Sequence, residues 1–278
     1  MVIYYDGDSW ITEEDVADLY DAFRRRGWSR DEPQEKLLVL LHTYGGNADA
    51  SYRLAQVIRD FAKDVTFLIP FHATSGGTLM CLCANKILLG AYATLGAIDV
   101  TIGDVPLASI EYFAKFVIDA RQEFENRFAN YQNEIETDMD ARMMVEMVSQ
   151  VGSLDIGNLY RQSNLTLLYS YKLMSEYMFA DVPNKVDLAR NIANTLLHRL
   201  PAHDFALDYH MCKELKIPVF EMNEELSEMT KKLIDVLHEQ SEMGIICRDL
   251  PMIDQTANKA PFLRLYEGQR NERQQRRR

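Results

Sequence analysis

Along the first hundred positions, apolar residues fall into two alternating patterns. In TEEDVADLYDAFRRRG, residues 12–27, Val16, Leu19 and Phe23 share one helical face behind Thr12 and a run of acids, and the segment ends in arginines and Gly27. Acids in a first turn and cations in a last turn offset the helix dipole, so this segment predicts a helix. In KLLVLLHTYGG the run Leu37–Leu41 is unbroken, too short for a typical helix and suited to a strand covered on both faces. The patterns then repeat. ADASYRLAQVIRDFA carries Leu54, Ile58 and Phe61 at helical spacing, DVTFLIPF is a second buried strand, and GTLMCLCANKILLG predicts a helix running into another short strand. Strand, helix, strand, helix at this spacing predicts right-handed βαβ units and a largely parallel sheet.

From about Ala108 the character changes. SIEYFAKFVIDARQEFENRF, DARMMVEMVSQVG, NLYRQSNLTLLYSYKLMSEYMF and NKVDLARNIANTLLHRL are long periodic segments with few strand signals, so this half is predicted helical. HDFALDYHMCKELKIPVFE then predicts a short helix and a closing strand, and EELSEMTKKLIDVLHEQ a final amphipathic helix. No internal repeat and no Gly/Ser/Pro-rich linker interrupts the chain, so the helical half is expected to pack onto the sheet half within one large domain.

Composition narrows the partners. The 278 residues are 47% hydrophobic, enough for a sizeable core, and carry a formal charge of −12 with a pI near 5.0. Nucleic acid and anionic membranes attract cationic surfaces, so neither is an expected partner. The end of the chain differs: from Arg264 onward six arginines and two glutamates give +4, leaving −16 on the remainder, and NERQQRRR reads as a solvated tail. Cys81, Cys83, Cys212 and Cys247 lack paired metal-ligand spacing, and no metal is expected. The opening MVIYYDGDSW has no cationic lead into an apolar stretch, and no apolar run reaches the ~18 residues of a membrane span, so a cytoplasmic protein is expected.

The candidate chemistry lies at two strand ends that carry glycine pairs, Gly45–Gly46 in HTYGG and Gly76–Gly77 in TSGG. In open α/β sheets the strand ends that feed helices gather at one edge, which would set the two pairs face to face. Ser75 would then present its hydroxyl at a sharp strand-to-helix turn, with glycine N–H groups aimed to hold an oxyanion, an arrangement for acyl transfer. The alternative is that Ser75 caps a helix and the glycines relieve crowding. Neither the dinucleotide glycine pattern nor the lysine-terminated phosphate loop is present.

LHTYGG, followed about thirty positions later by PFHATSGGTLMCLCANKILLGAYATLGAIDV, resembles the serine dehydrogenase proteinase family, relatives of signal peptide peptidase A in the Clp protease and crotonase superfamily. MVSQVGSLDIGNLYRQ and HDFALDYHMCKELKIPV also resemble that family's segments, so the likeness runs over roughly residues 8 to 235. It implies an α/β fold, a Clp protease/crotonase-like spiral of ββα units with a helical arm used in oligomerisation. It further implies Ser75 as nucleophile, the N–H groups of Gly46 and Gly76 as oxyanion hole, and Gly45 as the residue shaping the turn. Tyr44 stands where the family usually has proline, and Gly76 where its nearest relatives have alanine. The expected division is a Clp/crotonase-like peptidase domain over 1–222, a C-terminal helix packed on it over 223–262, and a basic flexible tail over 263–278.

A serine hydroxyl needs a partner to take its proton, an imidazole or a lysine altered by burial. Clp-type proteases place a histidine on the strand after the nucleophile's helix, and TLGAIDV has none; signal peptide peptidases use a lysine. The resemblance thus points to Lys115, 40 residues after Ser75, and to a Ser/Lys-type serine endopeptidase. Lys115 lies one helical turn before Ile118, the position that aligns best with the relatives' lysine, and away from the apolar face of Ile110, Phe113, Val117 and Phe124, so a plain solvated lysine is the alternative. His42, His72 and His203 are other candidate bases. His203 beside Asp204 reads equally as a hydrogen-bonded corner, and Asp99 as a turn acceptor. The expected function is cofactor-free hydrolysis of peptide bonds in an extended polypeptide by a homo-oligomer, fed by an unfoldase or adaptor. The rivals are a crotonase-like acyl-CoA hydratase or thioesterase and a catalytically inactive oligomeric scaffold.

Overall fold

The computed structural model describes residues 2–5, 10–102, 105–127, 146, 153–239 and 244–247. They form two compact units, one from residues 1–95 with 207–278 and the other from 96–206. The expected helix in DARMMVEMVSQVG falls almost wholly outside the described residues, as does the basic tail over 263–278.

The first unit is built on a six-stranded sheet. Its strands are β1 (Val2–Tyr5), β2 (Gln34–His42), β3 (Ala62–Ile69), β5 (Lys86–Leu89), β9 (Val219–Glu221) and β10 (Gly244–Cys247), ordered β10-β1-β2-β3-β5-β9. All neighbours are parallel except β10, which runs antiparallel to β1. β2 and β3 are central, and Val39, Leu40 and Leu41 on one and Phe67, Leu68 and Ile69 on the other are buried without alternation, as strands covered on both faces must be.

Helix α1 (Glu13–Arg25) begins where the Asp15 carboxylate accepts the Thr12 N–H at 2.7 Å, and α2 (Ala48–Phe61) where Asn47 Oδ1 accepts the Ala50 N–H at 2.9 Å. Their apolar faces meet through Phe23 and Phe61, both fully buried with ring centroids 5.1 Å apart. Elsewhere Leu40 and Leu68 of the sheet pack with Met222, and with Ile234 and Leu237 of the helix Glu224–Glu239. β1 and β10 are strands the hydrophobic pattern did not predict, and β10 lies inside the 223–262 stretch expected to be helical.

A second, narrower strip positions the glycine turns. β4 (His72–Ala73) pairs in parallel with β6 (Thr94–Leu95), Thr43 bridges to Ala73, and Leu95 bridges to Leu207. Each long strand is thus followed by a short segment in this strip: β2 by Thr43 and then α2, β3 by β4 and then α3 (Gly76–Cys81), and β5 by β6. This is the expected succession of ββα units in a mixed α/β fold.

The second unit is mainly helical. A two-stranded hairpin, β7 (Thr101–Ile102) and β8 (Val105–Pro106), leads into α4 (Leu107–Arg127). Leu107 and Ile110 of α4 bury against Leu159 of the helix Ser153–Leu173, which packs against Lys185–Asn194. Both of these helices end in a π-turn, Met174–Met178 and Thr195–Arg199.

Candidate functional site

The two glycine turns meet. Where β2 ends, the Thr43 N–H donates to the His72 carbonyl at 3.3 Å and the Thr74 N–H to the Thr43 carbonyl at 3.2 Å. The Thr74 hydroxyl then donates to the Tyr44 carbonyl at 2.9 Å, so the residue before Ser75 is tied to the residue before Gly45. Gly45 and Gly46 have φ of 109° and 148°, conformations that L side chains rarely adopt. The approach is too close for any side chain: a Cβ on Gly45 would stand 2.7 Å from Ser75 Cβ and 2.9 Å from the Gly76 nitrogen. A Cβ on Gly46 would collide with the backbone of Ile11, and one on Gly76 with the Ser51 hydroxyl while lying 3.2 Å from the Gly46 nitrogen. Gly45, Gly46, Ser75 and Gly76 therefore form one cluster, from turns 30 positions apart.

Ser75 occupies the most unusual backbone position in that cluster. Its φ of 50° and ψ of −116° precede α3, and the Gly77 N–H donates to the Thr74 carbonyl at 2.8 Å. Together these define a type II′ turn with Ser75 at the first central position, which normally falls to glycine. The Ser75 side chain makes no cap bond to the helix it precedes, so helix capping does not explain a serine here. The side chain is half-buried, and among the described residues neither the Gly46 N–H nor the Gly76 N–H has a hydrogen-bond acceptor. A partly accessible alcohol and two unengaged amides share the site.

Behind the turns stand the first two candidate histidines. The His42 and His72 rings lie 4.2 Å apart, Tyr44 tilts over His72 at 4.2 Å, and Phe71 meets His42 edge-on at 5.7 Å. Burial above all, followed by the nearby His72 and His238, pushes His42 down to about 3, and burial lowers His72 as well. Both rings are therefore neutral near pH 7, and an imidazole held as low as His42 is a poor proton acceptor there.

The other candidate bases belong to the second unit. Lys115 lies on α4 with its side chain exposed. The His203 Nδ1 meets Asp99 Oδ1 at 2.5 Å, with Asp99 buried and the imidazole partly accessible. The hydrogen bond to Asp99 raises the His203 pKa against the opposing effect of burial, and Asp204 adds only a field contribution. His203 is adjacent to Asp204 in sequence, yet its side-chain contact is with Asp99, 104 positions away, so Asp99 is the partner of the imidazole and more than a turn acceptor. A signal for it exists only in the topology: Asp99 follows Leu95 by four residues, His203 precedes Leu207 by four, and Leu95 and Leu207 form an antiparallel bridge.

Cys81, Cys83 and Cys212 are buried free thiols, and burial pushes Cys83 and Cys212 up to about 12, so they act as small apolar side chains. Among the described residues no cluster of three or more His, Cys, Asp or Glu side chains could hold a metal ion, and no helix is long and apolar enough to cross a membrane.

Residues 9–125 match the family described as ClpP-like SDH-type serine proteinase. Two uncharacterized proteins of Methanocaldococcus jannaschii are 36% and 33% identical over 101 residues, 36% of this chain. The match spans about a third of the length of those curated relatives, 33% and 34%. Among solved structures, the membrane-bound stomatin-specific protease 1510-N is 14% identical with a TM-score of 0.43 over 82% of each chain. ClpP1 from Listeria monocytogenes is 12% identical with a TM-score of 0.38, over 81% of this chain and 92% of its own. The stretch that matches the ClpP-like SDH-type serine proteinase family, residues 9–125, thus carries both glycine turns, Ser75 and Lys115.

Proposed function

We propose that the protein is a serine peptidase in which Ser75 attacks a peptide carbonyl. The observation that carries this reading is the conformation of Ser75: a serine sits where a turn favours glycine, its side chain makes no helix-cap bond, and the amides of Gly46 and Gly76 lie beside it without acceptors among the described residues. Strained nucleophiles at strand-to-helix turns serve to expose a reactive oxygen.

In the proposed reaction, Ser75 Oγ forms a bond to the carbonyl carbon while a base takes its proton. The carbonyl oxygen becomes an oxyanion held by the two amides, and Gly45 keeps the turn that aims them. One such donor is worth roughly 10²- to 10³-fold in rate. The base returns its proton to the leaving amine, and water then hydrolyses the acyl-enzyme. For the base, two groups qualify by their own chemistry. The family resemblance implies Lys115, whereas the bond to Asp99 gives His203 the oriented imidazole that an activated serine requires. What supports His203 is its orientation by Asp99, and what supports Lys115 is the resemblance. The substrate is an extended polypeptide segment, the working form a cytoplasmic homo-oligomer, and an unfoldase or adaptor its supplier.

The test is covalent labelling with a fluorophosphonate, followed by mapping of the adduct. Labelling at Ser75 that disappears in Ser75→Ala is the expected outcome. A well-folded protein that takes no label indicates an inactive scaffold, and thermal stabilisation by coenzyme A without labelling indicates an acyl-CoA enzyme.

A further inference from the structure

Tyr44 is 54% exposed although it lies in the turn that joins the two halves of the cluster. Its position is nevertheless fixed. One face of its ring rests on His72 at 4.2 Å with 37° between the planes, His72 rests on His42, and Phe71 closes the stack from the interior. Its main-chain carbonyl accepts the Thr74 hydroxyl, so its backbone is anchored to the residue that precedes Ser75. The next residue, Gly45, has its Cα ~3.8 Å from that of Tyr44, and Gly45 is the residue whose absent side chain would touch Ser75 Cβ. Tyr44 is thus one residue along the chain from the point of closest approach to Ser75.

Resting on the peptidase reading above, we propose that Tyr44 is a specificity-determining residue, an aromatic platform that selects polypeptides carrying an aromatic side chain next to the bond that Ser75 attacks. Three features favour that ligand chemistry over a charged one. The described stack behind Tyr44 consists of aromatic rings alone, and both of its imidazoles are neutral near pH 7 because burial lowers them. Among the described residues of that stack, the platform therefore offers no fixed charge to an acidic or basic side chain. A rigid exposed aromatic ring with one face already packed presents the other to a partner at little entropic cost, and aromatic pairs gain more than their buried area alone supplies. The hydrophobic pattern could not disclose this, because Tyr44 stands alone between a buried strand and two glycines.

The experiment uses two fluorophosphonates with the same reactive group, one bearing a benzyl and the other a methyl substituent, and compares their rates of adduct formation at Ser75 in the full chain. The ratio of the two rates is the readout. In the wild-type protein and in Tyr44→Phe the benzyl probe is expected to react roughly three- to tenfold faster, the span that an aromatic pair provides. In Tyr44→Ala the ratio is expected to fall toward one. Tyr44→Leu keeps the bulk without the ring and decides the matter if the alanine variant does not fold: its ratio is expected to drop below half that of wild type. Equal rates in the wild type, or a preference that survives both Tyr44→Ala and Tyr44→Leu, would overturn the assignment of Tyr44 while leaving Ser75 as nucleophile. Folded wild-type protein that reacts with neither probe overturns the peptidase reading and this inference together, so the two failures are distinct.

Discussion

A serine at φ 50° and ψ −116° holds strain that a glycine would not, and residues forced into such regions cost of order 1–3 kcal/mol. Ser75→Gly is therefore expected to raise the unfolding free energy by about 1 kcal/mol, after the greater freedom of glycine in the unfolded chain is set against the relief. Ser75→Ala keeps the Cβ and the strain, and its stability should stay near that of wild type. Denaturant midpoints of the three proteins check this; a glycine variant less stable than the alanine variant would show that the turn is not strained. At this scale the sequence was informative in part. A serine before two glycines marked the position, but its backbone angles, which dismiss the capping explanation, depend on how Thr43 and Thr74 tie two distant turns together. The same holds for the base. Asp99 reads as a turn acceptor and His203 as a candidate base beside Asp204, because nothing local connects positions 104 apart.

At the scale of elements, β2 and β3 were legible because strands covered on both faces leave unbroken apolar runs, and α1 and α2 because caps and helical spacing agree. β1 and β10 escaped because each is four residues long and is defined by pairing across the whole chain, which no local pattern records. The end of β2 also carries a pH dependence. His42 has a folded pKa near 3 against an ordinary 6.5, so the unfolded chain binds the proton that the folded one refuses. Its contribution is complete above about 6.5 and is lost as pH falls toward 3, with a slope of at most about 1.4 kcal/mol per pH unit. His203 has the opposite sign: its pKa is raised, so its contribution is present below the ordinary histidine value and fades as pH rises through the folded one. Thermal melts across pH 4 to 8 are expected to show His42→Gln flattening the acid side of the stability curve and His203→Gln the alkaline side. An acid limb unchanged by His42→Gln would contradict the buried, neutral imidazole.

For the whole molecule, the acidic balance disfavours nucleic acid as a partner, and the succession of ββα units supplies the mixed α/β frame on which the peptidase proposal is built. The choice of base belongs to this scale, since Lys115 and His203 lie in a different compact unit from Ser75. Fluorophosphonate labelling rates are expected to fall by at least tenfold in His203→Gln and to stay within about twofold of wild type in Lys115→Ala, general-base contributions being typically ~10²-fold or more. The reverse pattern would return the role to the lysine that the family resemblance implies. The central claim, that the Gly45–Gly46 turn and the Ser75–Gly76 turn together make an oxyanion site around an alcohol, is tested most directly by a crystal structure of the phosphonylated protein. The expected result is a phosphorus bound to Ser75 Oγ with one phosphoryl oxygen ~2.7 to 3.1 Å from the amide nitrogens of both Gly46 and Gly76. An adduct on another residue, or a phosphoryl oxygen turned to solvent away from both amides, would contradict it.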